Sequence, residues 1–280
     1  MTQDHLFPTE DTLVVADSDQ PTDLPLNEVL RFFQSRTDFI ALLGLALRQS
    51  FDEVIDGPRT GRFSIDQLEK TEKTYIGTKV EIVVRNELEL ARGVKLDNSI
   101  CGHEVDTKFS LTGGWMIPRE AVGELCLLIA GSDASGTYSA GLLRTTPNAL
   151  TVGANQDGKR SVSALGKREI HWITKDSPLP RNFMLDLAPE TRAAVLSPSS
   201  GKQRIIALFM NVTGRLIPRS VIVQVAQLKG DPLRRARETK APLLRAGIEV
   251  LCATYAADRE KIREHGFTDF SDDDWLSVRI

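Results

Sequence analysis

The chain has 280 residues and a net charge of −3, with 41% hydrophobic and 26% charged residues. This balance is typical of a soluble globular protein with room for two domains, and no apolar run approaches the roughly 20 residues that a membrane-spanning helix needs. The acidic N-terminus predicts no signal peptide, and the scattered Cys101, Cys126 and Cys252 predict reduced thiols in a cytoplasmic protein rather than a zinc site.

The first part of the chain is predicted to begin with a loose acidic arm over residues 1–25, which contain three prolines. Apolar residues at spacings of three and four then predict a helix over 26–56. A second helix, over about 65–84, includes Glu81. Strands are expected near 87–95 and over 104–111.

The middle of the chain is predicted to be rich in strands. Residues 120–131 are almost continuously apolar, which indicates a buried strand after a short turn of helix. The composition of 154–161 predicts a loop, and the serine- and proline-rich stretch 177–201 predicts the connection between two domains. Further strands are expected at 138–145, at 149–153 and from His171 to Ile173.

Three helices are predicted in the C-terminal part, over 203–213, 218–227 and 231–245. Pro218 and Pro232 stand in favourable first-turn positions, and Asp231 is the expected N-cap of the third helix. Two short helices joined at a glycine turn (Leu228–Gly230), the second rich in arginine, are typical of a DNA-binding helix-turn-helix, although an ordinary amphipathic helix pair has a similar pattern. The basic side chains expected to meet phosphates or base edges are Arg219, Arg234, Arg235, Arg237 and Lys240.

Charge is unevenly distributed along the chain. Residues 1–30 carry seven acids and no lysine or arginine, whereas residues 201–250 carry ten bases and three acids. A basic region of this kind is the expected footprint of contact with phosphates. A basic surface without a partner would have the same sequence.

Two acids and a lysine stand close together between positions 97 and 108. Asp97 precedes the segment Glu-Val-Asp106-Thr-Lys108-Phe-Ser, whose alternation predicts a strand with Asp106 and Lys108 on one face. Two carboxylates beside an ammonium suit phosphodiester hydrolysis, since the acids hold a divalent cation and the lysine helps to position water and offset charge. The spacing alone is weakly specific, because Asp157-Gly-Lys159 repeats it in a loop and an ion pair on a solvated strand also has it.

The predicted loop 154–161 has side chains that can read DNA. Asparagine and glutamine can pair with adenine edges and arginine with guanine, and all of them can contact the sugar–phosphate backbone instead. A polar hairpin tip without a ligand would have the same composition. The candidates are Asn155, Gln156, Lys159 and Arg160.

Two further residues flank the acidic motif. By alternation His103 lies on the same side of the strand as Val105 and away from Asp106, which favours a packing or strand-end role over that of a general base. Trp115 follows two glycines and is interpreted as a core anchor.

In this order the segments resemble the NaeI family of restriction endonucleases. The resemblance is carried by Asp97, residues 104–110, the stretch from Gly114 to Cys126, the stretch from Asn155 to Ser161 and the basic helices after residue 203. It covers most of residues 40–250. The first 25 residues have no counterpart, and the final 25 or so match less clearly.

The resemblance implies an α/β (α+β) fold: a restriction-endonuclease-like mixed sheet flanked by helices, followed by a helical helix-turn-helix domain of winged-helix-like type. The family's acidic cluster falls on Glu81, Asp97 and Asp106, as ligands of Mg²⁺, and its lysine falls on Lys108. An exposed helix glutamate stays open as the alternative for Glu81. The domains expected are an arm over 1–25, an endonuclease domain over 26–176, a linker over 177–201 and a DNA-binding domain over 202–280.

The same resemblance implies Mg²⁺-dependent, site-specific cleavage of double-stranded DNA that leaves 5′-phosphate ends. It also implies a homodimer activated by a second DNA copy, no membrane partner, and a cognate DNA methyltransferase that belongs to the same system without being a stable partner. Two alternatives stay open, a non-cleaving DNA-binding regulator and a related nicking or repair nuclease. The presence of all three acids together with Lys108 favours cleavage over the regulator.

Overall fold

The computed structural model describes residues 23–227 and 230–280. The predicted acidic arm over 1–25 therefore lies almost entirely outside the described residues, as does most of the turn expected at Leu228–Gly230. Within the described ranges, no helix is both long enough and apolar enough to cross a membrane.

The N-terminal part alternates between helices and strands. Its helices are α1 (Leu24–Gln34), α2 (Phe39–Ile55), α3 (Gly57–Thr60), α4 (Lys70–Glu87) and α5 (Ala164–Arg168). Its strands are β1 (Ala91–Arg92), β2 (Asn98–Ile100), β3 (His103–Ser110), β4 (Met116–Ile117), β5 (Leu125–Ser132), β6 (Thr137–Arg144), β7 (Leu150–Ala154), β8 (Arg160–Val162) and β9 (His171–Pro178). Short 3-10 turns occupy Ile65–Gln67, Arg119–Ala121 and Pro147–Ala149.

Six strands form one sheet in the order β1-β2-β3-β5-β6-β9. β3 and β5 run parallel, whereas the other neighbours are antiparallel. α1, α2 and α4 pack against one face, and the small sheet β4-β8-β7 shares a second core with the other face. This mixed sheet with flanking helices confirms the predicted α/β class. Trp115 is a core anchor, as predicted, because it is 3% exposed and its indole donates to the Ile129 carbonyl over 2.8 Å.

The prediction of a single helix over 26–56 is wrong, because α1 and α2 are separate helices. Between them the chain is polar, and the Arg36 guanidinium binds the Asp38 carboxylate (3.2 Å) and the Leu88 carbonyl (2.6 Å). These contacts hold the chain in a turn, and each helix buries its own apolar face.

The strand predicted over 87–95 is also wrong over most of its length. α4 continues to Glu87, and the chain reverses at Glu89, where φ is +52°. Only Ala91–Arg92 pair as a strand. β2 was not predicted at all, since three residues are too few to show alternation, and its place is set by pairing with β3.

The C-terminal part begins with two helices and ends in a small sheet. Its elements are α6 (Pro189–Leu196), α7 (Gly201–Asn211), β10 (Leu216–Ile217), α8 (Arg219–Ala226), α9 (Pro232–Arg245), β11 (Ile248–Cys252), α10 (Ala256–Glu264) and β12 (Trp275–Arg279). α7, α8 and α9 correspond to the three predicted helices, and α9 runs on through Pro242. The strands form an antiparallel sheet in the order β10-β12-β11.

Part of the predicted linker 177–201 is folded onto the C-terminal core. α6 lies inside this stretch, and its Val195 is fully buried. Phe183 and Leu187, in the segment before α6, pack into the same core. These apolar residues are interspersed among prolines and serines, which explains why composition alone suggested a connection.

The connection between α2 and α4 contacts the C-terminal part directly. Phe63 packs against the C-terminal core, and its carbonyl accepts a hydrogen bond from Asn182 (2.7 Å). The carbonyl of Arg62 accepts one from the Gln224 side chain on α8 (2.8 Å). A side chain at Gly57 would collide with Gln224, so glycine is required where α3 approaches α8. The two parts thus meet through a second contact besides the covalent connection.

Candidate active site

β2 and β3 form a hairpin that places Asp97 opposite Asp106. The connecting residues Cys101-Gly102 have positive φ of 53° and 81°, as a two-residue type I′ turn requires. Asn98 pairs with Val105, so one step further from the turn Asp97 faces Asp106. Directly opposed residues have β-carbons about 5 Å apart. The nine-residue spacing between the two acids is therefore the register of a tight hairpin.

The Asp97 carboxylate is bound to the strand it faces. Asp97 comes immediately before β2, at the point where β2 stops pairing with β3. There the Thr107 amide donates to Asp97 Oδ2 over 2.9 Å, in place of a backbone partner from β2. Because the strand pairing ends here, the Asp97 carboxylate binds the Thr107 amide and faces Asp106 and Lys108.

Lys108 lies at the centre of the cluster. Its Nζ is 3.0 Å from the Asp106 carboxylate, 3.2 Å from Glu81 Oε1 and 3.5 Å from Asp97 Oδ2. The same ammonium donates to the Thr107 carbonyl over 2.8 Å. The Lys108 ammonium is therefore held by α4, by the residue before β2 and by two groups of β3 itself.

Glu81 reaches this cluster from α4. Its side chain is 23% exposed and contacts Lys108, so it is not the exposed helix glutamate that the sequence also allowed. Burial raises the pKa of Glu81, and the nearby Asp97 carboxylate adds to that effect, whereas the ammonium groups of Lys108 and Lys159 oppose it. The structure thus brings together all four residues, Glu81, Asp97, Asp106 and Lys108.

The two opposed aspartates differ in their affinity for protons. Burial, reinforced by the hydrogen bond and the charge of Asp97, raises the pKa of Asp106 to about 7, although Lys108 opposes this rise. Burial acts on Asp97 in the same direction, but the Thr107 amide, Asp106 and Lys108 together lower its pKa. Burial would lower the pKa of Lys108, yet the three surrounding carboxylates raise it. Close carboxylates that cannot both ionise freely explain this split.

The donor set fits a hard divalent cation. Glu81, Asp97 and Asp106 offer only oxygen atoms, which suits Mg²⁺. A cation at the aspartate pair would offset the repulsion that favours protonation of Asp106. Across residues 23–227 and 230–280, no three His, Cys, Asp or Glu side chains are already grouped as a metal site. The three carboxylates converge instead on the Lys108 ammonium.

The predicted loop 154–161 is the tip of the β7–β8 hairpin. Asn155 closes the tip, because its side-chain oxygen accepts from the Lys159 amide (2.8 Å) and its carbonyl accepts from the Gly158 amide (2.9 Å). Gln156 and Lys159 are exposed. The Lys159 ammonium opposes the rise in the pKa of Glu81, so its charge lies within electrostatic reach of that acid.

Arg160 has a different environment from the rest of the tip. It is the first residue of β8 rather than part of the loop, and its guanidinium donates to the carbonyls of Thr151, Pro147 (3.1 Å) and Leu150 (3.3 Å). These contacts brace the hairpin and direct the guanidinium toward the protein.

α9 presents three exposed arginines. Arg234 and Arg235 pair with Glu238 at 3.1 and 2.9 Å, and Arg237 lies 3.6 Å from Asp231. Solvent-exposed pairs of this kind contribute little to stability. The three guanidinium groups can therefore exchange these partners for phosphates at little cost.

The two remaining basic candidates are placed differently. Lys240 binds Asp258 over 2.6 Å and lies 5.3 Å from the centre of the Tyr255 ring, so its ammonium is engaged within the domain. Arg219, the first residue of α8, is 53% exposed and lies 3.4 Å from Asp273.

The sequence is similar to that of a known protein family over most of its length. A family model described as restriction endonuclease NaeI matches residues 40–280. The chain belongs to the NaeI restriction endonuclease family. The type II restriction enzyme NaeI of Lentzea aerocolonigenes is 40% identical to it over 199 residues, which are 68% of this chain. The match spans 62% of that relative, less than two thirds of its length.

The NaeI family match extends further than the sequence resemblance suggested. It includes the final 25 or so residues, which matched less clearly by motif. In the structure these residues contain β12, the central strand of the C-terminal sheet. They are an integral part of the fold, because β12 pairs with both β10 and β11.

Sequence reasoning missed the residues that support the acids. Cys126 is buried with its Sγ 3.9 Å from Asp106 Oδ2, and Arg85 donates to the Asp97 carbonyl over 3.1 Å. Cys126 lies beside Asp106 only because β3 and β5 pair in parallel, which no local pattern reveals. Arg85 stands four residues after Glu81, so helical spacing could have indicated that both point to the same side.

Proposed function

We propose that this chain is a Mg²⁺-dependent type II site-specific deoxyribonuclease that cuts double-stranded DNA. The observation that carries the proposal is the convergence of Glu81, Asp97 and Asp106 on Lys108, in a chain of the NaeI restriction endonuclease family. Burying three carboxylates around one ammonium costs stability. Such a cluster is expected where the charges have a chemical role, and phosphodiester hydrolysis gives a role to all four groups.

In this proposal Asp97 and Asp106 would hold the Mg²⁺, and Glu81 would bind it directly or through water. Bound Mg²⁺ supplies a Lewis acid that neutralises charge on the phosphate and makes a water molecule easier to deprotonate. Lys108, fixed by contacts to all three acids, orients that water and offsets the negative charge that develops on the phosphate.

The water oxygen attacks phosphorus in line with the 3′ oxygen and loses a proton to solvent, while the 3′ oxygen leaves with its bonding electron pair and takes up a proton from solvent. The products are a 5′-phosphate and a 3′-hydroxyl. Asn155, Gln156 and Lys159 at the hairpin tip contact the bound DNA beside the acids. This assignment is supported by the exposure of Gln156 and Lys159 and by the effect of Lys159 on Glu81.

We assign a second DNA contact to the C-terminal part, as a helix-turn-helix of winged-helix type. Support comes from the order of α7, β10, α8, α9 and the sheet β10-β12-β11, and from the exposed Arg234, Arg235 and Arg237. Arg219 is available at the start of α8. DNA bound there would act as the activating second copy.

The proposal includes a homodimer, because cutting both strands in one encounter needs two copies of the acid–lysine cluster. A restriction system also needs a cognate methyltransferase to protect host DNA in the cytoplasm. That enzyme shares the recognition sequence and need not bind this chain.

Plasmid digestion tests the proposal. The purified protein with Mg²⁺ should give discrete double-strand fragments, and Asp106→Ala or Lys108→Ala should abolish them while DNA binding in Ca²⁺ survives. Glu169→Ala, an exposed acid in the same part of the chain, is the control and should cut normally. Nicked circles alone would indicate a nicking enzyme, binding without cleavage would indicate a regulator, and full cutting by either active-site variant would refute the residue assignment.

A further inference from the structure

The loop from Gly93 to Asp97 is held by one carboxylate. Glu104, on β3, accepts hydrogen bonds from the backbone amides of Val94 (2.8 Å), Lys95 (3.0 Å) and Leu96 (2.7 Å). A carboxylate that receives several amide hydrogen bonds makes strong, charge-assisted interactions. The three amides belong to consecutive residues immediately before Asp97, so Glu104 sets the path by which the chain arrives at this acid.

The loop is closely packed around Gly93. A Cβ at Gly93 would lie 2.5 Å from the Leu96 carbonyl oxygen and 2.7 Å from the Glu104 carboxylate. The Gly93 amide donates to the Asp97 carbonyl over 3.3 Å, which closes the loop on itself. Leu96 is 9% exposed and packs into the core beneath the small sheet.

Asp97 needs this support because it stands outside the strand. β2 begins at Asn98, so Asp97 lies one residue beyond the strand pairing and its backbone is held by contacts of the loop and of Arg85. Its carboxylate also faces the carboxylate of Asp106, and the two repel each other when both are ionised. A free loop would relieve that repulsion by moving Asp97 away from the cation site.

We infer that Glu104 is a positioning residue that holds Asp97 within reach of the cation by clamping the 94–96 amides. Glu104 does not touch the cation or the DNA in this inference and acts only through the loop. The inference rests on the proposed metal-dependent function.

Two substitutions test the clamp independently. Glu104→Gln keeps the shape of the side chain but replaces one accepting oxygen with an NH₂ group that faces backbone donors. Gly93→Ala keeps the Glu104 side chain but crowds the Leu96 carbonyl and the Glu104 carboxylate, so the loop and the carboxylate must move apart. Glu124→Gln is the matched control, because Glu124 binds the same loop only through the Lys95 side chain, over 2.8 Å.

Two measurements are needed. The first is the affinity of the DNA-free protein for Mn²⁺, with the free ion detected by electron paramagnetic resonance. The second is the Mg²⁺ concentration that gives half-maximal plasmid cleavage. Mutation of a residue that orients a metal ligand typically lowers metal affinity by about 10–100-fold. We expect Glu104→Gln and Gly93→Ala each to weaken Mn²⁺ binding about tenfold and to raise the Mg²⁺ requirement in parallel. Cleavage should recover at saturating Mg²⁺, and Glu124→Gln should match the unsubstituted protein.

The inference is overturned if both variants keep full Mn²⁺ affinity and an unchanged Mg²⁺ requirement, even when their melting temperatures fall. That result would make Glu104 a contributor to stability alone. If the unsubstituted protein neither cuts DNA nor binds Mn²⁺ in a manner that depends on Asp97, the proposed function itself fails. If one variant does not fold, the other still decides.

Discussion

Replacing Asp106 with asparagine should stop DNA cleavage and yet stabilise the metal-free protein at alkaline pH. The Asp106 side chain is 5% exposed, and burial, reinforced by Asp97, raises its pKa from the ordinary 3.8 to about 7. The folded protein therefore binds this proton more tightly than the unfolded chain does. Asparagine resembles the protonated form and avoids the cost of ionisation.

The direction of the pH dependence follows from this difference. Below pH 3.8 the group is protonated in both states, and it costs no stability. As the pH rises from about 4 to about 7 the unfolded chain ionises first, so the stability of the folded protein falls, and above pH 7 the loss is complete. A tenfold change in proton affinity is worth about 1.4 kcal/mol, so the full loss is about 4 kcal/mol. Because Asp97 shares the proton, we expect asparagine to recover about 2–4 kcal/mol at pH 8.

Urea unfolding in EDTA, followed by tryptophan fluorescence at pH 4.5 and pH 8, measures this effect. Asp106→Asn should be clearly more stable than the unsubstituted protein at pH 8, and the difference should shrink at pH 4.5. Asp133→Asn is the contrasting control, because Asp133 is 4% exposed and pairs with Arg48 over 2.6 Å. It should destabilise at both pH values, because Arg48 keeps only Asp52 (2.7 Å) as a partner; the loss should be smaller than the roughly 3–5 kcal/mol of a fully broken buried pair. The reasoning is refuted if Asp106→Asn is less stable at pH 8, or if its effect is the same at both pH values.

Three further predictions concern the DNA contacts and the link between the two parts. Gly158→Ala should weaken DNA binding and lower the folding stability by about 1–3 kcal/mol, because φ is +74° there and a side chain would collide with Arg119. The control Gly153→Ala, in open space on the same hairpin, should have little effect on folding stability. Equal losses in the two variants would contradict this account. Arg237→Ala should weaken binding to all DNA sequences alike and reduce the slope of log affinity against log salt by about 1, as fluorescence anisotropy at several salt concentrations would measure; an unchanged slope would exclude a phosphate contact. Arg62→Ala removes a bidentate pair with Glu72 in the first turn of α4 (2.8 and 2.9 Å), which steadies the segment whose Arg62 carbonyl binds Gln224 of the C-terminal part. Activation by an added oligonucleotide should therefore weaken more than basal cleavage does. Equal effects on both rates would exclude a coupling role.

Elements with a strong local pattern could be predicted from the sequence. β5 is almost wholly apolar and buried, and α7 and α8 bury residues at helical spacing, so local chemistry and tertiary burial agree there. β3 was predicted from alternating side-chain types, but its burial does not alternate, since Val105, Asp106 and Thr107 are all buried. Prediction failed at the helix break near Arg36 and at β2. Both depend on partners far away in sequence, since Arg36 binds the Leu88 carbonyl and β2 exists only through pairing with β3.

The candidate site divides in a similar way. The types of Asp97, Asp106 and Lys108 and their spacing were visible in the sequence, and the resemblance added Glu81. Their supporting residues were not visible, because Cys126 meets Asp106 across a parallel strand pair and Glu104 meets the loop only once the hairpin has closed.

By itself, the sequence determined which chemistry is available: oxygen ligands for a hard cation, one lysine between them, and a basic C-terminal region. Tertiary structure alone decided the register of the β2–β3 hairpin, that α4 delivers Glu81 to it, that the Arg160 guanidinium turns toward the protein, and that Glu104 binds the amides before Asp97. The physical reason is that a side chain's identity is local, whereas the distances and burial that change its charge and its partners arise from packing between distant segments.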